Sequence, residues 1–167
     1  MSKLTAIENA IIQLGAGEFQ KFCDTFLSKM DKYGVILGYG MKTGTLKTTI
    51  GNPDTYFVRE NGKYVFVVYT TQQDNIYNKI QEDIEKCFDQ QKTGVELSDI
   101  EEIVCCHTSS NLSAGDDQKL HKMCSDKGIL LTIYGVDEIA QQIYRNYPVI
   151  ARDFLGIEID TNQIMSA

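Results

Sequence analysis

Apolar residues recur at helical spacing from the start of the chain. Ile7, Ala10, Ile11 and Leu14 share one face of an expected helix over 3–14, capped by Ser2 or Thr5. Gly15-Ala16-Gly17 ends it, and a second helix is expected from near Glu18, with Phe19, Phe22, Cys23, Phe26, Leu27 and Met30 as its apolar stripe. Residues 34–40 read as a short strand ending in glycines, followed by a loop from Met41 to Ile50. Within Gly51–Gln72, two runs rich in Tyr, Phe, Val and Thr flank Glu60-Asn61-Gly62-Lys63, which predicts a β-hairpin. Along its second strand Tyr64, Phe66, Val68 and Thr70 share one face, and Val65, Val67, Tyr69 and Thr71 the other. Both faces are apolar, so this strand is expected at the centre of a sheet covered on two sides.

The remaining pattern alternates. A helix over 76–91 turns Ile76, Ile80, Ile84, Cys87 and Phe88 inward, and a buried strand follows at 100–107. A polar loop over 108–117 leads into a helix reaching Ser125, with Asp116 or Asp117 as its expected cap. Gly128 ends that helix before a strand over 129–134; a helix then runs to about Asn146, and a last one after Pro148 buries Ile150 and Phe154. Strands alternating with helices after residue 100 imply parallel crossovers, hence an α/β fold. With 167 residues and 43% hydrophobic content, the chain is expected to form a single domain over 1–167, with 157–167 as the start of a linker.

Charge and cysteine usage narrow the chemistry. A net charge of -7 works against nucleic-acid binding unless a basic patch lies on one face. Five cysteines without CxxC spacing indicate neither a disulfide framework nor a zinc site, and adjacent Cys105 and Cys106 must point to opposite faces of their strand. No run of about 18 apolar residues exists, so no membrane span is expected. The first residues lack a signal peptide's apolar region, so a cytoplasmic location is expected. The Met41–Ile50 loop carries Lys42 and Lys47 but no GxxxxGK[ST], so nucleotide binding there is not expected.

No GxSxG, HExxH or Cys–His signature appears, and His107 and His121 have no identifying partners in the sequence. The remaining candidates are carboxylates. Asp54 opens a strand, a position where an acid has poor propensity, and Glu18 lies in the first turn of a helix, where it complements the helix dipole. Acids near the end of a central strand are a means of holding Mg²⁺, an ion that takes few protein ligands and activates water for phosphodiester attack. Asp54 as a plain turn cap is the structural alternative.

The stretches Leu14-Gly-Ala-Gly-Glu18-Phe, Pro53-Asp54-Thr-Tyr-Phe57, Tyr69-Thr-Thr-Gln72 and Gly156-Ile-Glu-Ile-Asp160, in the order αβββαβ, resemble the PD-(D/E)XK restriction-endonuclease-like nucleases. The nearer resemblance is to nuclease-like domains at the N-terminus of bacterial NACHT/STAND-type anti-phage ATPases. It implies a three-layer α/β/α core with a mixed sheet and an extra C-terminal strand and helices. It also implies a DNA-cleaving effector domain of a defence protein, dependent on Mg²⁺ or Mn²⁺ held by Asp54 and Glu18. Thr70 and Gln72 would line the site, Lys42 and Lys47 would meet the phosphates of double-stranded DNA, and the full-length chain would form homo-oligomers. In such nucleases an acid-x-Lys pair lies on the third strand; here those positions carry Val68 and Thr70, so the motif is incomplete. A non-catalytic oligomerisation or partner-binding module on the same fold is the other reading.

Overall fold

A computed structural model describes residues 2–30, 33 and 53–159 of the chain. The expected strand over 34–40, the loop carrying Lys42 and Lys47, and residues beyond 159 lie outside the described residues. Two helices open the described part, α1 (Lys3–Ile12) and α2 (Ala16–Ser28). The Ser2 hydroxyl caps α1 by accepting from the Thr5 amide at 3.1 Å, one of the two expected caps. The hairpin follows as β1 (Thr55–Val58) and β2 (Tyr64–Thr70), and its turn puts Gly62 at φ 83°, a conformation that favours glycine.

Next come α3 (Ile76–Phe88), a single turn α4 (Gln90–Thr93), β3 (Ile100–His107), α5 (Ala114–Ser125), β4 (Leu130–Tyr134), α6 (Val136–Asn146) and α7 (Pro148–Leu155). The expected helix over 76–91 is therefore two pieces. Asp89 leaves helical geometry at ψ 102°, and its side chain accepts the Gln91 amide at 3.0 Å, starting the new turn. The cap of α5 is Ser113, whose hydroxyl accepts the Asp116 amide at 3.1 Å, whereas Asp116 and Asp117 sit in the first turn. The acids complement the dipole there; the short serine side chain, one residue outside the helix, reaches the free amide.

The four strands form one mixed sheet in the order β1-β2-β3-β4, with β1 antiparallel to β2 and the other pairs parallel. β2 is thus internal, as its two apolar faces predict. Val65, Val67, Tyr69, Val104 and Cys106 join one core with residues of α1, α2, α6 and α7. Phe66, Val68, Ile103 and Cys105 join the other with residues of α3 and α5. The result is three layers, helices over both faces of the sheet. Cys105 and Cys106 take opposite faces, and all five cysteines are buried free thiols. No described helix is long and apolar enough to cross a membrane.

Register decides what meets at one edge of the sheet. Thr70 lies beside His107, and Cys106 beside Tyr134, so the carboxyl ends of β2, β3 and β4 are level. Because β1 runs the other way and Thr55 pairs with Val67, the start of β1 falls at that same edge. Asp54 therefore arrives beside the exit of β2.

Candidate functional site

Asp54 is half-buried and its Oδ2 accepts the backbone N–H of Tyr69 at 3.1 Å. One carboxylate oxygen thereby takes over an amide at the point where the β1–β2 ladder ends. The amide it accepts lies on the neighbouring strand, not in a local turn about Asp54. Continuing the Thr55–Val67 register outward sets Asp54 opposite Val68. The charge of Asp54 is felt on that side of the sheet. The Cys105 thiol is raised by burial first, then by neighbouring Cys106, Asp83, Cys87 and Asp54. Cys87 is raised by burial, then Asp83, Cys124 and Asp54. Both thiols share the core in which Val68 packs, and Val68 is 4% exposed.

Glu18 stands elsewhere. It is exposed in the first turn of α2, and its Oε1 lies 3.7 Å from where a Cβ on Gly15 would be. Among the described residues it makes no hydrogen bond to Asp54. The residues of α2 that do reach the strand mouth are Gln20 and Asp24, one turn apart. The Gln20 amide donates to the Asp54 carbonyl and the Thr55 hydroxyl, each at 3.4 Å. Asp24 Oδ1 accepts from the Thr55 hydroxyl at 3.0 Å and from the Tyr69 hydroxyl. Burial, then Asp24, raises the Tyr69 phenol well above its ordinary pKa, so the phenol stays protonated and donates. Asp24 and Gln20 escaped the sequence reading; the signal was two polar residues at i and i+4 bordering an apolar stripe, a pattern usually left to solvent.

Thr70 and Gln72 serve the exit of β2. The Thr70 hydroxyl accepts the Gln72 amide at 3.1 Å, and the Gln72 side chain donates to the Asp74 carbonyl at 2.6 Å. Gln73 continues the stitching, donating to the Thr108 hydroxyl at 2.8 Å, while its carbonyl accepts from Ser109 at 2.7 Å and Asn111 at 2.9 Å. These bonds hold the loops after β2 and β3 together. His107 is buried with Nδ1 accepting the Ser109 amide at 3.2 Å, and His121 lies 3.4 Å from Asp117 one helical turn away.

A divalent ion needs several oxygen donors converging on one point. At the strand mouth, Asp54 offers a carboxylate beside Val68, which has no donor, while Asp24 is engaged with Thr55 and Tyr69. Among the described residues no three His, Cys, Asp or Glu side chains group to hold a metal ion. At this strand mouth the described donors do not fit Mg²⁺: Asp54 brings one carboxylate, and Val68, set opposite it by the register, brings no oxygen. Comparison with known protein families, curated proteins and solved structures finds no match for this chain.

Proposed function

We propose that this chain has the site plan of a metal-dependent, DNA-cleaving endonuclease of PD-(D/E)XK type, an effector domain of a bacterial defence protein, disarmed by a valine at one metal-ligand position. The observation that supports the reading is the hold of the Tyr69 amide on Asp54 just outside the Thr55–Val67 pair, where the register continued by one residue sets Asp54 opposite Val68. In this reading a carboxylate at 68 would share a face with Asp54 and complete a two-acid cradle for Mg²⁺ or Mn²⁺. Bound there, the ion would polarise a phosphodiester and activate water. Asp54 is the remaining ligand. Valine supplies no oxygen, so the chain as it stands binds the ion weakly and cuts duplex DNA poorly, since each lost charge-stabilising group costs orders of magnitude in rate.

The test compares the chain, Val68→Glu, and Val68→Glu with Asp54→Asn, on supercoiled plasmid with Mg²⁺ or Mn²⁺. Nicking is expected from Val68→Glu alone, and EDTA should abolish it. If Val68→Glu leaves plasmid intact under both ions, the nuclease reading is wrong. The competing reading, a non-catalytic module for self-assembly or partner binding, draws on the burial of Val68 in the core under α3. Stable oligomers in light scattering, together with no DNA affinity in any variant, would favour it.

A further inference from the structure

The carboxyl ends of β3 and β4 open into a cavity of about 410 Å³, lined by none of the residues around Asp54. The helix after β3, α5, packs on one face of the sheet and the helix after β4, α6, on the other, so the loops part at this edge and leave a crevice. Open α/β sheets hold small ligands in such crevices, and the volume falls within the roughly 300–1,000 Å³ of ligand pockets.

His107, the last residue of β3, lines this cavity and is only 4% exposed. Because its Nδ1 accepts the Ser109 amide, the neutral ring carries its proton on Nε2. Burial holds the imidazole below its usual pKa against the pull of Asp137 and Asp117, which favours that neutral, donating form. Among the described residues Nε2 has no hydrogen-bond partner, and although the residue is almost wholly buried this atom is not sealed off, consistent with its place in the cavity lining. Gly135, just past β4, makes room for the ring: a Cβ there would lie 3.4 Å from Cε1 and Nε2, and 3.2 Å from Asp137 Oδ1. Asp137, in the first turn of α6, and Asp117, in the first turn of α5, bring carboxylates to the same cavity from separate helices. Ile133 and Val136 supply an apolar wall.

Two ligand classes fit poorly. A phosphate would face two carboxylates, and among the described residues no three His, Cys, Asp or Glu side chains group here to hold a metal ion. A neutral hydroxylated molecule suits the lining, since carboxylates accept hydroxyl hydrogens and Nε2–H donates to an oxygen.

We propose that this cavity binds the vicinal hydroxyls of a sugar ring, carried by a ribonucleoside or a free monosaccharide. Asp137 and Asp117 accept the hydroxyls, His107 donates through Nε2, and the ring's apolar face rests on Ile133 and Val136. The proposal is independent of the nuclease reading.

The experiment applies saturation-transfer NMR and calorimetry to the full chain with four ribonucleosides, their 2′-deoxy counterparts, ribose and glucose. A site that pairs with both hydroxyls rejects the analogue lacking one. A ribonucleoside is therefore expected to bind roughly 10- to 100-fold more tightly than its 2′-deoxy form. Tightest binding by a free monosaccharide would support the same chemistry and identify the other source. Asp137→Asn, an exposed change, should weaken binding at least about tenfold with an unchanged melting temperature, and Gly135→Ala should do so by crowding His107. Absence of saturable binding by any sugar overturns the proposal. So do equal affinities for ribo- and deoxyribonucleosides, insensitivity to Asp137→Asn, or a His107 resonance that responds to inorganic phosphate or Mg²⁺ instead of sugars.

Discussion

Replacing Val68 by Glu tests the candidate site through stability as well as activity. Val68 is 4% exposed and packs under α3, so the substitution forfeits about 1.5–3 kcal/mol of apolar burial. It also sets a second carboxyl beside Asp54 in a poorly solvated place, where like charges and burial both favour the protonated acid. Protonation limits the penalty, and a total near 3 kcal/mol is expected. For a chain of 167 residues that lowers Tm by roughly 6–12 °C in EDTA. An ion that binds only the folded form restores stability by RT ln(1 + [L]/Kd), about 2.7 kcal/mol at a hundred times Kd, or roughly 5–11 °C. Thermal unfolding by circular dichroism, run in EDTA and in millimolar Mg²⁺ or Mn²⁺, reads both numbers. The parent chain should show little response, and Asp54→Asn in the Val68→Glu background should remove it while keeping an acceptor for the Tyr69 amide. Equal melting temperatures for Val68→Glu with and without divalent ion would refute the two-acid geometry.

The other expectations concern the core and its titrating groups. Glu102 is 1% exposed, bonded to Arg59 at 3.0 Å and to the Thr132 hydroxyl at 2.7 Å, so Glu102→Ala should cost about 1–3 kcal/mol in urea unfolding by taking the buried acceptor from Thr132, while Arg59 keeps its ion pair with Glu101. All five cysteines are buried, and burial also raises the thiols of Cys23, Cys87 and Cys105 and pushes Cys124 up to about 12; inaccessibility alone means that a thiol-specific reagent should modify the five only after denaturant is added. The His107 pKa is lowered on folding, chiefly by burial, so the unfolded chain binds more protons as pH falls through the ordinary histidine range. Stability should therefore fall on acidification from roughly pH 7 to 5, and His107→Gln should flatten that part of the profile in urea titrations.

The order of elements was legible in the residues themselves because burial imposes a period. Two apolar faces on Tyr64–Thr70 can exist only where helices cover both sides of a strand, and β2 is internal with a core on each face. Cys105 and Cys106 had to part because successive side chains in a strand alternate. Local exceptions were not legible: Asp89 breaking the helix over 76–91 and Ser113 capping α5 turn on single hydrogen bonds whose competitors are nearly equal in energy.

For the site, the sequence alone settled that an acid opens β1 and that a valine occupies position 68 of the paired strand. Only the tertiary structure decided which helix residues meet that acid. The rotation of α2 against β1 brings Gln20 and Asp24 to the strand mouth and leaves Glu18 in solvent. The same holds for the cavity at β3 and β4, where His107, Asp117 and Asp137 come together only because two parallel strands end level. Periodicity along a chain follows from the geometry of one element and can be read locally. Convergence of side chains from several elements depends on register and packing angle, which belong to the assembled sheet.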